Sequence, residues 1–170
     1  MIRPGLRLER LGPQHDVATF DSGHDDLDGW IRRHGLAAQE MDSARTFVLL
    51  GPDGVIGYFS LTMGSVRRAD APARLVRAMP AYPVGMVLLA RLAVHRIHQG
   101  QGLGALLLAE ALRKAAVAGE AAAARLVVVN AIDDKAAASY ARHGFVAAPE
   151  HPMRFYRRMK DIRASLAGAG

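Results

Sequence analysis

The sequence predicts an α/β (α+β) protein, and three observations support that class. Two nearly continuous apolar segments, residues 85–94 and 124–132, are typical of buried strands. A long apolar helical pattern follows the first segment, and a shorter one follows the second. At 170 residues with 51% hydrophobic content, the chain has the length of one domain and enough apolar side chains for a core. We therefore expect residues 1–170 to form a single domain.

The segment 20–41 predicts the first helix. Ser22 and Asp25 have the spacing of a capping box. The helical face behind this cap carries Leu27, Trp30, Ile31 and His34. Trp30 is expected to fill the core.

A hairpin and a loop follow. Residues 44–50 and 54–66 flank the turn Gly-Pro-Asp-Gly, which predicts two antiparallel strands. Residues 67–83 predict a loop or broken helix that ends at the prolines Pro80 and Pro83.

The C-terminal half alternates helices with strands. We expect a helix over residues 103–118 that is closed by Gly119, with the alanine tract 121–124 as a loop or helix tail. After the strand 124–132 we expect a short helix, with Asp133 as its cap and Gly144 as its end, and then a last strand over residues 154–159.

Composition excludes several classes of function. The chain has no cysteine, which excludes a thiol nucleophile, a disulfide framework and a cysteine zinc site, and which fits a cytoplasmic protein. The seven histidines form no compact set with carboxylates, so we expect no metal. No apolar run reaches the ~18 residues of a membrane span, and the first residues lack the apolar centre of a signal peptide. A net charge of +6 favours an anionic partner, although it is equally compatible with a basic, soluble surface.

The glycine-rich stretch His-Gln-Gly-Gln-Gly-Leu-Gly at residues 98–104 allows several interpretations. A Walker A loop is excluded because no Gly-Lys-Ser/Thr ends it. A dinucleotide fingerprint would need an acidic residue at the end of the next strand, which ends instead in Asn130. A pyrophosphate turn of the pattern Gln/Arg-x-x-Gly-x-Gly/Ala fits Gln99, Gly102 and Gly104, and a tight turn without a ligand is the remaining alternative.

Residues 91–108 and 139–145 resemble those of the GNAT N-acetyltransferases, and the resemblance covers roughly residues 20–160. Residues 20–34 and 44–61 narrow it to the GNAT toxins of bacterial toxin–antitoxin operons. The resemblance implies a mixed central sheet split in a V around an acetyl-CoA site, with flanking helices. It also implies that the acceptor is the α-amino group of aminoacyl-tRNA, that translation is blocked, and that the partner is a ribbon-helix-helix antitoxin.

The resemblance also implies the site residues. The cofactor would be bound by the strand residues Leu92, Ala93 and Val94, by the turn residues Gln99, Gly100, Gln101, Gly102, Leu103, Gly104 and Ala105, and by Asn130. Tyr140 would be the general acid, since a phenol with a pKa near 10 still carries its proton at pH 7. Many GNAT enzymes have asparagine before the last helix, where this chain has Asp133 and Asp134.

The absence of a carboxylate from the central strand mildly favours an α-amino group as the acceptor. Residues 85–94 contain no glutamate or aspartate that could act as a general base, although glutamates elsewhere or a water chain could still serve. An α-amino group, with a pKa near 7.7–8.0, needs such help less than a lysine does. Candidate RNA contacts are the arginines Arg67, Arg68, Arg74, Arg77, Arg91 and Arg142, although Arg91 and Arg96 could serve the coenzyme phosphates instead.

Three classes of function therefore remain. The first is the tRNA-acetylating toxin, expected to be a cytoplasmic homodimer that reaches DNA, as a repressor, only through its antitoxin and does not bind membranes. The second is a GNAT enzyme for a small amine or a protein N-terminus. The third is an oxidoreductase or a non-catalytic coenzyme A-binding protein.

Overall fold

The computed structural model describes residues 2–169. Its strands are β1 (Arg7–Arg10), β2 (Arg45–Gly51), β3 (Gly54–Val66), β4 (Val84–Val94), β5 (Leu126–Asn130), β6 (Val146–Ala147) and β7 (Arg154–Arg158). Its α-helices are α1 (Asp25–Arg33), α2 (Gly35–Glu40), α3 (Leu103–Ala122), α4 (Asp134–Arg142) and α5 (Met159–Ala169). Among the described helices, none combines the length and the apolar character needed to cross a bilayer.

The strands form a mixed sheet in the order β1-β2-β3-β4-β5-β7-β6. β4 and β5 are parallel, with Met86 opposite Leu126. The pairs β1/β2, β2/β3, β5/β7 and β6/β7 are antiparallel. A mixed sheet with flanking helices confirms the predicted α/β class.

The chain forms two compact units. The first unit contains Met1–Thr62 and Ala90–Ala111, and the second contains Met63–Leu89 and Leu112–Gly170. That residues 1–170 act as one domain stays a prediction.

The first unit is organised around aromatic and aliphatic side chains from the hairpin and α1. Its buried cluster consists of Leu11, Phe20, Ile31, Val48, Leu50, Tyr58 and Ala93. Gly57 on β3 lies so close to its neighbours that an added Cβ would come within 2.7 Å of Leu107 and 3.0 Å of the Ala93 carbonyl. The absence of a side chain at Gly57 therefore allows β3 to approach the end of β4 and the first turns of α3.

The second unit packs the loop 67–83 onto its strands. Its buried cluster consists of Val66, Ala71, Leu75, Val76, Val84, Met86, Leu126, Val128, Ala148 and Tyr156. Two short 3₁₀ helices, Arg68–Asp70 and Ala73–Leu75, form the loop, as the broken-helix prediction implied. Because three apolar side chains of this loop are buried in the core, the loop is held firmly while its arginines face solvent.

Two predicted helix ends are wrong. Ser22 does not cap α1, because the N-cap position is His24 and the Ser22 hydroxyl accepts from the His24 N–H at 3.2 Å, outside the helix. The Ser22 backbone N–H and hydroxyl donate to Asp28 Oδ1, at 2.8 and 2.6 Å. Gly119 does not end α3, which continues to Ala122. Gly119 is buried against Met159, where an added Cβ would clash, so its small size serves packing rather than termination.

The first predicted helix is divided at His34 into α1 and α2, and the remaining predicted elements are confirmed. The hairpin, β4, β5 and β7 lie where expected, within a few residues at their ends. α4 begins at the predicted cap, where Asp133 accepts a hydrogen bond from the Ala136 N–H at 2.8 Å, and Gly144 follows it with φ +85°. β1, β6 and α5 were not predicted from the sequence.

Candidate active site

The glycine-rich turn lies at the end of β4 in the first unit. β4 ends at Val94, and the short 3₁₀ helix Arg96–His98 leads into the turn. The His95 N–H donates to the Ile56 carbonyl at 2.9 Å, which fixes the strand end to β3. The 20-residue helix α3 then begins at Leu103.

The turn presents a series of backbone N–H groups without backbone partners. Within residues 2–169, no N–H of residues 100–105 donates to a backbone carbonyl, and the first helical bond runs from the Leu106 N–H to the Gly102 carbonyl at 3.2 Å. Gly100 and Gly102 have φ of +82° and +79°, a conformation that favours glycine. A Cβ added at Gly100 or Gly104 would meet no atom within 4 Å, so the space beside the turn is open. Unpaired N–H groups at the positive end of a helix are suited to bind phosphate oxygens.

The Gln99 side chain holds this turn in place through two hydrogen bonds. Its side-chain nitrogen donates to the Ser22 carbonyl and to the Val94 carbonyl, both at 2.9 Å. Both amide protons are thereby used, so the side chain has no donor left for a phosphate. Gln99 therefore holds the turn in position, and the N–H groups of residues 100–105 remain as candidate phosphate donors.

Contacts between Arg96 and Asp21 also join the turn to the segment before α1. The Arg96 N–H donates to the Asp21 carbonyl at 2.8 Å, and the Arg96 guanidinium pairs with the Asp21 carboxylate at 2.7 Å. Hydrogen bonding to Arg96 lowers the pKa of Asp21. The buried Asp28 accepts both bonds from Ser22, so α1 fixes the same segment. Arg96 is thus engaged in an ion pair rather than free for the coenzyme.

Arg91, on β4, is half-buried. Its guanidinium lies 4.1 Å from the centroid of the Trp30 ring, which stacks in turn on Tyr58 at 6.1 Å. Burial lowers the pKa of Arg91. No carboxylate among the described residues pairs with Arg91, so Trp30 is its main contact in the structure. Trp30 packs against the buried cluster of the first unit, in line with the prediction that it fills core, although it is itself only partly buried.

The second unit contains Tyr140 and Asn130. The Tyr140 ring packs against Phe145 and Phe155, with centroid distances of 5.8 and 6.2 Å, and only 8% of the residue is exposed. Burial, with a smaller contribution from Asp133, raises the pKa of Tyr140 to about 12. Within residues 2–169 the Tyr140 hydroxyl has no hydrogen-bond partner, so it remains available as a donor. Asn130 ends β5 and is exposed.

The candidate RNA-binding arginines belong to both units. Arg68, Arg74 and Arg77 are exposed on the loop 67–83 and pair with no carboxylate in the described part of the chain. Arg67 pairs with Asp70 through two contacts, at 2.8 and 3.3 Å. Arg142 is exposed at the end of α4 in the same unit, while Arg91 belongs to the first unit.

A family model described as an acetyltransferase (GNAT) domain matches residues 42–147, which include β4, the glycine turn and α4. The chain belongs to the GNAT acetyltransferase family. In the residues that the structure describes, no group of three His, Asp or Glu side chains could hold a metal ion. The GNAT assignment explains the turn with free N–H groups directly after an apolar strand.

Individual GNAT relatives are similar over nearly the whole chain. A protein of Mycobacterium tuberculosis named tRNA-acetylating toxin is 39% identical over 155 residues, covering 91% of this chain and 93% of that one. A structure of AtaT complexed with acetyl-methionyl-tRNAfMet has a TM-score of 0.86 at 27% identity, and it covers 95% of this chain and 99% of that one. A mutant AtaT toxin bound to the C-terminus of the antitoxin AtaR and to acetyl-CoA has a TM-score of 0.81 at 27% identity, covering 95% and 98%.

Sequence reasoning missed two contributors to this GNAT site. Asp28 had no assigned role, although its carboxylate organises the segment before α1. Trp30 was assigned to the core, although it supports Arg91. A single sequence gives no signal for either contact because each joins side chains that are distant along the chain or on different elements.

Proposed function

We propose that the protein is an acetyl-CoA-dependent N-acetyltransferase toxin that acetylates the α-amino group of aminoacyl-tRNA and thereby blocks translation. The observation that carries the proposal is the 39% identity, across 91% of the chain, to a tRNA-acetylating toxin. The likeness to AtaT complexed with acetyl-methionyl-tRNA supports the same acceptor class.

The first unit supplies the groups expected to hold acetyl-CoA. The N–H groups of residues 100–105 suit its pyrophosphate, and the backbone of Leu92, Ala93 and Val94 suits its pantetheine arm. One lone pair of the Val94 carbonyl is already used by Gln99. Asn130 remains a candidate contact from the second unit. Acetyl-CoA supplies the acetyl group as an activated thioester.

Tyr140 is the proposed general acid for the departing sulfur. Its buried ring is fixed between two phenylalanines, while its hydroxyl has no partner within residues 2–169. A pKa of about 12 keeps the phenol protonated throughout the physiological range, as a proton donor requires.

The arginines are the proposed contacts to the RNA. Arg68, Arg74 and Arg77 lie on a loop that is anchored by buried apolar residues, so their charges are presented without a competing carboxylate. Arg91 carries a half-buried charge that lies on the Trp30 ring and pairs with no carboxylate among the described residues, which suits an anionic or carbonyl group of an acceptor. Arg67, already paired with Asp70, and the exposed Arg142 are weaker candidates.

The partners are part of the same proposal. A ribbon-helix-helix antitoxin would cover this protein and neutralise it, in line with the AtaT structure that contains the C-terminus of AtaR. We propose a homodimer that acts in the cytoplasm and that contacts DNA, as a repressor, only in complex with the antitoxin.

The test is acetyl transfer from radiolabelled acetyl-CoA. Parallel reactions contain charged tRNA, the same tRNA uncharged, a lysine-containing peptide or a polyamine. Label on charged tRNA alone supports the proposal. Label on the peptide or polyamine, with charged tRNA inert, would favour a GNAT enzyme for a small amine or a protein N-terminus instead.

A further inference from the structure

The N-terminal residues form a tight turn that positions Arg3. The Leu6 N–H donates to the Arg3 carbonyl at 3.1 Å, with Pro4 and Gly5 between them. Gly5 has φ +83°, so the sequence Arg-Pro-Gly-Leu has the residues and the conformation of a type II turn. β1 begins one residue later and pairs with β2, which anchors the turn to the sheet of the first unit.

The Arg3 guanidinium lies on the glycine-rich turn. A Cβ added at Gly102 would come within 2.9 Å of Arg3 Nη2, so the guanidinium occupies the place that a side chain at residue 102 would take. Glycine at this position therefore serves two purposes, since it permits φ +79° and leaves room for Arg3.

This arrangement places positive groups together without an internal counter-charge. Arg3 is exposed, and no carboxylate in the described part of the chain pairs with it. The N–H groups of residues 100–105 also lack backbone acceptors. A guanidinium beside the positive end of a 20-residue helix is unfavourable unless an anion lies between them.

We propose that Arg3 is a coenzyme A-binding residue that contacts the pyrophosphate at the glycine-rich turn. The guanidinium can donate two parallel hydrogen bonds to phosphate oxygens, which the backbone N–H groups approach from the other side. The N-terminal segment thereby completes a site otherwise built from β4 and the start of α3. The inference depends on coenzyme A binding and not on the identity of the acceptor.

The experiment measures the affinity for coenzyme A by isothermal titration calorimetry, with the full chain. Arg3→Ala should weaken binding about tenfold, the scale of a lost hydrogen bond to a charged group. The affinity of Arg3→Lys for coenzyme A should lie between those of the wild type and Arg3→Ala, because lysine keeps the charge but cannot donate two parallel hydrogen bonds. Arg7→Ala is the matched control, since Arg7 is exposed in the same segment but pairs with Glu9 at 3.0 Å. The melting temperature of the free protein should be the same in all variants.

A second ligand shows which phosphate group of coenzyme A Arg3 contacts. Dephospho-coenzyme A lacks the 3′-phosphate but keeps the pyrophosphate, so Arg3→Ala should weaken its binding as much as it weakens the binding of coenzyme A. If Arg3→Ala and the wild type bound dephospho-coenzyme A equally well, the proposed contact between Arg3 and the pyrophosphate would be overturned. Equal affinity of Arg3→Ala and the wild type for coenzyme A would overturn the role of Arg3 altogether. A wild-type protein that fails to bind coenzyme A would overturn both this inference and the acetyl-CoA dependence, whereas binding without tRNA acetylation would leave Arg3 supported.

Discussion

Replacing Tyr140 with phenylalanine separates its packing from its proposed proton transfer. Phenylalanine keeps the ring that contacts Phe145 and Phe155 and removes only the hydroxyl. Because that hydroxyl has no hydrogen-bond partner within residues 2–169, its removal leaves no buried group unpaired. The substitution should therefore affect catalysis and leave the fold intact.

The expected magnitudes differ clearly between the two roles. Loss of a general acid reduces the rate by roughly 10²–10⁴-fold, which corresponds to about 3–5 kcal/mol of activation free energy. The free energy of unfolding should change by less than about 0.5 kcal/mol, as for substitutions that break no specific contact. Affinity for coenzyme A should be unchanged.

The pH profile gives an independent check. Since burial raises the pKa of Tyr140 to about 12, the acid stays protonated below that pH. The wild-type rate should rise as the acceptor amine loses its proton near its pKa, about 7.7–8.0 or lower, and should then stay level to at least pH 10. An alkaline decline between pH 8 and 10 that vanishes in Tyr140→Phe would mean that the pKa of Tyr140 is not raised.

The assay follows release of the coenzyme thiol under saturating acetyl-CoA, with thermal unfolding and coenzyme A titration on the same samples. Turnover of Tyr140→Phe at the wild-type rate would refute the reasoning, and Tyr140 would then be a packing residue. If Tyr140→Phe were slow and also had a lowered melting temperature, the hydroxyl would contribute to stability, and packing and proton donation would not be separable by this substitution.

Three further outcomes follow from the geometry. Gly102→Ala should weaken coenzyme A binding in calorimetry, because φ +79° strains alanine. Gly104→Ala should bind normally, because φ is not positive at Gly104 and the pyrophosphate pattern accepts alanine there. The reverse order of affinities would contradict the turn geometry. Acetylation of charged tRNA should fall steeply with salt, and a combined Arg68→Ala and Arg74→Ala variant should raise KM and flatten that salt dependence; an unchanged slope would remove this loop from the RNA interface. Asp28→Ala should reduce the free energy of unfolding by about 1–3 kcal/mol, because Ser22 loses the acceptor of two buried hydrogen bonds. Chemical denaturation measures this change, and an unchanged free energy of unfolding would mean that these hydrogen bonds do not stabilise the fold.

The sequence was most informative where one local pattern decided the structure. The apolar run of β4 and the glycines after it predicted a strand and a tight turn before a helix, because periodicity and turn chemistry are both local. The Asp133 cap of α4 was predicted for the same reason.

The errors arose where a tertiary contact decided the structure instead of the local pattern. Ser22 had the spacing of a cap, but α1 begins after His24, and Ser22 is held by hydrogen bonds to the buried Asp28. Gly119 resembled a helix end, but Met159 of α5 packs against it, and that helix was itself missed. The Arg91–Trp30 contact joins β4 to α1 across 61 positions of sequence, and a single chain carries no signal for such a pair.

The central strand and Tyr140 together favour one class of acceptor. β4 has no carboxylate, and a phenol with a pKa of about 12 is almost wholly protonated at pH 7 and cannot serve as a base. Where neither a glutamate elsewhere nor a water chain removes its proton, the acceptor amine has to arrive neutral. A lysine, with a pKa near 10.4, is neutral in only about 1 molecule in 2,500 at pH 7, while an α-amino group is neutral in roughly one in ten. The difference, a few hundredfold, is about 3 kcal/mol in favour of the α-amino group, and an adjacent ester lowers the amine pKa further. Without a base on β4, the site is therefore better suited to an aminoacyl ester than to a protein lysine.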